Sequence, residues 1–119
     1  MLDQDVVDAF NARPRVDLNN IKTMSASQQD RVKVWGSQAE NLLSNREFAM
    51  FVHQFRFEMI DVLSEIRTHT ETDNITRVAI TNQLAGVDSF IALLKRAKYM
   101  KDRVVTLQEQ KLSSKEPGL

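Results

Sequence analysis

Five basic residues crowd one short stretch of this chain: Lys95, Arg96, Lys98, Lys101 and Arg103, with only Asp102 against them. Side chains of this type at this density suit two tasks, neutralising a phosphate backbone or meeting an acidic protein surface. A second charged group, Glu47, Glu58, Asp61 and Glu65, is acidic and falls along one flank of an amphipathic segment. Carboxylates at helical spacing become metal ligands when histidine joins them, as in the Glu-x-x-His pairs of di-iron bundles. Neither His53 nor His69 follows a glutamate by three positions, so Glu58-x-x-Asp61 reads as a solvated or ion-paired flank.

Other chemistry is missing from the sequence. Cysteine is absent, which excludes thiolate metal sites, disulfides and cysteine nucleophiles. No phosphate-cradling glycine loop, no G-x-S-x-G and no H-E-x-x-H occurs. His53 reads as a boundary histidine, His69 as a residue of a turn, and Trp35 as a core or interface side chain. The sequence therefore predicts no catalytic residue, no enzyme activity, no cofactor, no metal and no small-molecule substrate.

Charge is segregated although it sums to zero, 16 basic against 16 acidic. Residues 46–74 hold three basic and six acidic side chains, and residues 75–119 hold eight and four. Compensation of a helix macrodipole explains one or two of the five clustered cations, because that effect fades within the last turn. The remainder predict a contact surface at Lys95, Arg96, Lys98, Lys101 and Arg103. Its partner is an acidic protein surface, including another copy of this chain, or else nucleic acid. No RNA-binding signature and no helix-turn-helix spacing accompanies the run.

The elements that carry these groups follow from periodicity. The chain has 119 residues, of which 42% are hydrophobic, enough for one folded domain. Between Pro14 and Pro117 only Gly36 and Gly86 interrupt it. A β-sandwich or barrel needs turn signals every ~8–12 residues, so long helices are expected. A short helix is expected over 3–10, ended by Pro14, then a connector with a turn of helix at 18–21. The next helix runs over 27–44, capped by Ser27, with Val32, Trp35, Ala39, Leu42 and Leu43 on one face. Gly36 weakens it by ~1 kcal/mol unless a neighbour packs closely there.

Asn45 is the expected N-cap of a helix over 46–67. Its main face is Phe48, Phe51, Val52, Phe55, Met59, Val62, Leu63 and Ile66, while Met50 and Phe57 sit on its back with Ile60 nearby. A short polar turn over 68–74 leads to a helix over 75–105 with two seams. One seam is Ile80, Leu84, Val87, Ile91 and Leu94. The other is Phe90, Leu93, Ala97, Met100 and Val104. Two seams need two partners, so Met50, Phe57, Phe90, Leu93 and Met100 are the expected oligomer interface.

The fold is thus expected to be all-α: a long antiparallel hairpin of 46–67 and 75–105, with the helix over 27–44 packed on it. Residues 1–26 form an irregular arm, 27–107 the bundle and 108–119 a flexible tail.

The stretch from Leu42 to Val105 resembles small all-helical accessory and structural proteins of tailed bacteriophages. The likeness lies in the pair Leu42 and Leu43, in Arg46, Glu47 and Phe48 opening a helix, and in Val52, Phe55, Glu58 and Leu63 along it. Arg77, Leu84, Asp88, Phe90 and Leu94 follow after a polar turn. The resemblance implies a virion or packaging accessory rather than an enzyme, and it assigns no functional residue.

The expected function is therefore a non-catalytic structural or assembly protein. Its partners are other subunits, itself and a larger virion component among them. The alternative is a small nucleic-acid-binding packaging protein that uses the basic run. No stretch reaches the ~18 uninterrupted apolar residues of a membrane span. The acidic start, with aspartates at 3, 5 and 8, does not read as a secretory signal. The expected location is the virion or the host cytoplasm.

Overall fold

The computed structural model describes residues 2–13 and 20–115. All regular structure among them is helical: α1 (Leu2–Ala12), a 3-10 turn (Ile21–Thr23), α2 (Ala26–Ser44), α3 (Arg46–Glu65) and α4 (Glu71–Lys115). The all-α hairpin with a preceding helix packed on it is the architecture observed. The chain divides into two compact units, one of Met1–Ala39 with Arg96–Leu119 and one of Glu40–Lys95.

In the first unit α2 starts at a reciprocal cap. The Gln28 backbone N–H donates to Ser25 Oγ at 3.2 Å, and the Ser25 N–H donates to Gln28 Oε1 at 3.0 Å. This S-x-x-Q box satisfies two backbone donors at once, which moves the cap from the expected Ser27 to Ser25. Gln29, Val32, Gly36 and Ala39 are the buried residues of α2. Their spacing of three, four and three matches that of Ala97, Met100, Val104 and Leu107 on α4, and the two seams meet. Gly36 lies against Ala97, and Gln29 reaches Gln108, so the two helices run antiparallel here.

Val32, Met100 and Val104 close a core with Ile21 and Met24, and Leu107 packs on its edge. The connector therefore supplies two core residues. At the margin, Gln108 Nε2 donates to Gln29 Oε1 at 3.1 Å and Lys33 Nζ donates to Gln108 Oε1 at 3.0 Å. Residue 108 is thus part of a packed helix, and α4 continues to Lys115 rather than giving way to a tail at 108. Pro14, the rest of residues 14–19, and residues 116–119 lie outside the described residues.

In the second unit the Asn45 side chain accepts from the Phe48 N–H at 2.9 Å and caps α3 as expected. Phe48 meets Phe90 with ring centroids 6.3 Å apart, and Arg56 pairs with Asp88 at 2.7 Å. Ile80 and Leu94 are the buried side chains among the described residues of this unit, with Leu84, Val87 and Ile91 half-buried. The first seam of α4 is therefore the one that faces α3.

The turn between α3 and α4 is shorter than expected, because α4 begins at Glu71. Thr70 Oγ1 accepts from the Asp73 N–H at 3.1 Å, and the Asp73 carboxylate accepts from the Thr68 hydroxyl. Arg77 donates to the Thr68 carbonyl and to Asn74 Oδ1, which ties the turn to the first helical turns of α4.

Candidate functional site

α3 is a 20-residue helix with no buried side chain. Its inner face, Phe48, Val52, Phe55, Met59 and Leu63, is half-buried. Phe51 and Val62, expected on that face, lie at its margins and are exposed. The outer face carries Met50 at 56% exposure, Phe57 at 63% and Ile60 at 52%. His53 lies between them and stacks on Phe57, with ring centroids 6.3 Å apart and planes at 23°. These four positions, spaced three, four and three, make a seam of the kind that receives another helix. Met50, His53, Gln54, Phe57, Glu58 and Asp61 line a shallow hollow along it.

One flank of this seam is acidic. Glu47, Glu58, Asp61 and Glu65 are all exposed. Gln54 Nε2 donates to Glu58 Oε1 at 3.3 Å, which holds that carboxylate beside the seam. The expected oligomer-interface residues Met50 and Phe57 thus share one open face.

Phe90 and Leu93 on α4 are also open, at 46% and 43% exposure. Met100 is not. It is 6% exposed and belongs to the core with Val32 and Val104, so its place in the interface is corrected. The second seam of α4 is covered by α2 at Ala97, Met100 and Val104.

The basic run lies wholly within α4. Lys95, Arg96, Lys98 and Arg103 are exposed, whereas Lys101 is half-buried. The Cβ of Lys101 stands where a Cβ on Gly36 would collide with it, so the stem of this lysine lines the α2 contact. Arg96, Tyr99 and Arg103 share one exposed face at spacings of three and four, with Tyr99 at 59% exposure. Trp35 is half-buried and borders a hollow with Ala9, Arg13, Asp30, Arg31 and Val34.

The Asp73 carboxyl is held below its ordinary value. The Thr68 hydroxyl bond does most to lower it, and Thr70, Arg77 and His69 add to that against an opposing cost of desolvation. That arrangement anchors the turn between α3 and α4. Among the described residues no set of three or more His, Asp or Glu side chains could hold a metal ion. No helix among them is long and apolar enough to cross a membrane.

Comparison with known protein families, curated proteins and solved structures finds no match to this chain.

Proposed function

We propose that this chain is a non-catalytic assembly protein that docks other protein subunits on the outer face of α3. The observation that carries this reading is the exposed Met50–His53–Phe57–Ile60 seam on a helix that buries no side chain. An aromatic and aliphatic seam at heptad spacing, edged by charge, has the anatomy of a protein interface. The resemblance to phage accessory proteins supports placing that assembly in a virion or its packaging apparatus. The alternative, nucleic-acid binding through the basic run, draws support from the exposure of Lys95, Arg96, Lys98 and Arg103.

A photo-crosslinking residue at position 57 tests the reading, with a second at exposed Thr81 as the control, in the full chain inside the cells that make it. Protein adducts at 57 and none at 81 are expected. Equal yields at both positions, or no protein adduct at 57, would reverse the order of the two readings.

A further inference from the structure

The outer face of α3 is not complementary to itself. Its acidic residues Glu47, Glu58, Asp61 and Glu65 fall on one flank of the seam. When two identical helices pair antiparallel, each flank meets the same flank of its partner, so those carboxylates would face one another. Parallel pairing would bring the acidic flank to the side of Arg56, which is already joined to Asp88 at 2.7 Å. The face therefore calls for a partner that is apolar at its centre and basic along the edge that meets this flank.

The same chain presents such a surface. Arg96, Tyr99 and Arg103 form a stripe at spacings of three and four on α4, with Lys95 and Lys98 adjacent in sequence and also exposed. Tyr99 is 59% exposed, an aromatic ring set among cations. Tyrosine and arginine are among the side chains that most often anchor interfaces. Both surfaces are on rigid helices of similar reach, about 15 Å from residue 50 to 60 and about 10 Å from 96 to 103.

We propose that the outer face of α3 in one copy receives the Arg96–Tyr99–Arg103 stripe of a second copy. Tyr99 packs on Phe57 and Ile60, and the two arginines converge on Glu58 and Asp61 from either side of it. The contact joins two different surfaces, so each copy keeps one of each kind to offer, and repetition builds a ring or a filament. This inference rests on the assembly reading of the α3 face and adds the identity of the partner.

Sedimentation velocity of the full chain tests it. The wild type should form oligomers in dilute salt and dissociate as salt rises, because the pairing is partly ionic. Glu58→Lys with Asp61→Lys, and separately Arg96→Glu with Arg103→Glu, should each sediment as single chains with unchanged helicity. An equimolar mixture of the two variants should assemble again, since each reversed surface then finds an opposite one. Tyr99→Ala should weaken wild-type association by tenfold or more.

Wild-type chains that stay single at every salt concentration would overturn the proposal without any variant being needed. So would reversed variants that assemble like the wild type, or folded variants whose mixture stays dissociated. Loss of salt-steep DNA binding in the arginine variant, with self-association intact, would overturn it in favour of nucleic acid. A single-chain wild type whose position 57 crosslinks a different protein would end the self-pairing and leave the assembly reading standing.

Discussion

Gly36 of α2 meets the backbone carbonyl of Ala97 so closely that a Cβ at position 36 would stand 2.7 Å from that oxygen, and 2.2 Å from the Cβ of Lys101. Neither obstacle is the far end of a flexible side chain. The missing Cβ lets the helices approach and allows Val32 and Val104 to seal the core.

Gly36→Ala should therefore destabilise the protein even though alanine favours a helix over glycine by about 1 kcal/mol. Overpacking of this kind costs about 1–3 kcal/mol. Gly86→Ala is the control, because a Cβ there meets nothing within 4 Å. It should stabilise by about 0.5–1 kcal/mol. Urea denaturation of both variants checks the pair, and opposite signs are expected.

Two large apolar side chains should respond very unequally to truncation. Met100 is 6% exposed in the core, so Met100→Ala should cost about 2–5 kcal/mol. Phe57 is 63% exposed, so Phe57→Ala should stay within about 0.5 kcal/mol of wild type when measured on dilute single chains. Thermal melts at submicromolar concentration separate the two.

That contrast marks how far periodicity is informative. The seams over 27–44, 46–67 and 75–105 announce helices because apolar residues recur at threes and fours, and Asn45 announces its cap. The same periodicity cannot say which length of a seam a partner covers. The buried positions of α2 run only from Gln29 to Ala39, so they close Ala97, Met100 and Val104, while Phe90 and Leu93 stay open. On a helical wheel Met100 is therefore indistinguishable from Leu93.

Ile21 and Met24 are hidden for another reason. Two core residues in and beside a three-residue turn are too few to show a period, and the signal next to them is the S-x-x-Q box at Ser25 and Gln28. The extension of α4 to Lys115 escapes because Gln108, Glu109, Gln110 and Lys111 offer little apolar periodicity. Polar residues hold its start in place through Gln29 and Lys33.

Gln108→Ala should accordingly matter although residue 108 lies outside the apolar pattern. It removes the donor to the buried Gln29 side-chain carbonyl and the acceptor of Lys33. An unsatisfied buried amide costs about 1–3 kcal/mol. Hydrogen exchange of the α2 amides should speed up near Gln29, and unchanged exchange would mean that water replaces the bond.

Asp73 gives a pH dependence with a defined sign. Its carboxyl titrates below the ordinary value of an aspartate, first because the Thr68 hydroxyl bonds to the ionised form. A depressed folded-state pKa means that the carboxylate stabilises the turn above the ordinary aspartate pKa of about 3.9, and that this is lost as pH falls through the lowered value. Carbon-detected NMR should place the Asp73 midpoint below that ordinary value. Thr68→Val should raise the midpoint, and a midpoint that does not move would remove the hydroxyl as its cause.

The central claim is that the outer face of α3 is a contact surface between copies of this chain. Light scattering of the purified full chain at tens of micromolar, beside the variant Met50→Ser with Phe57→Ser, tests it most directly. The wild-type mass should be a multiple of 13.7 kDa and fall on dilution, while the variant should keep its helicity and weigh a single chain. A wild type that weighs 13.7 kDa throughout, or a variant that matches the wild-type oligomer, would contradict it.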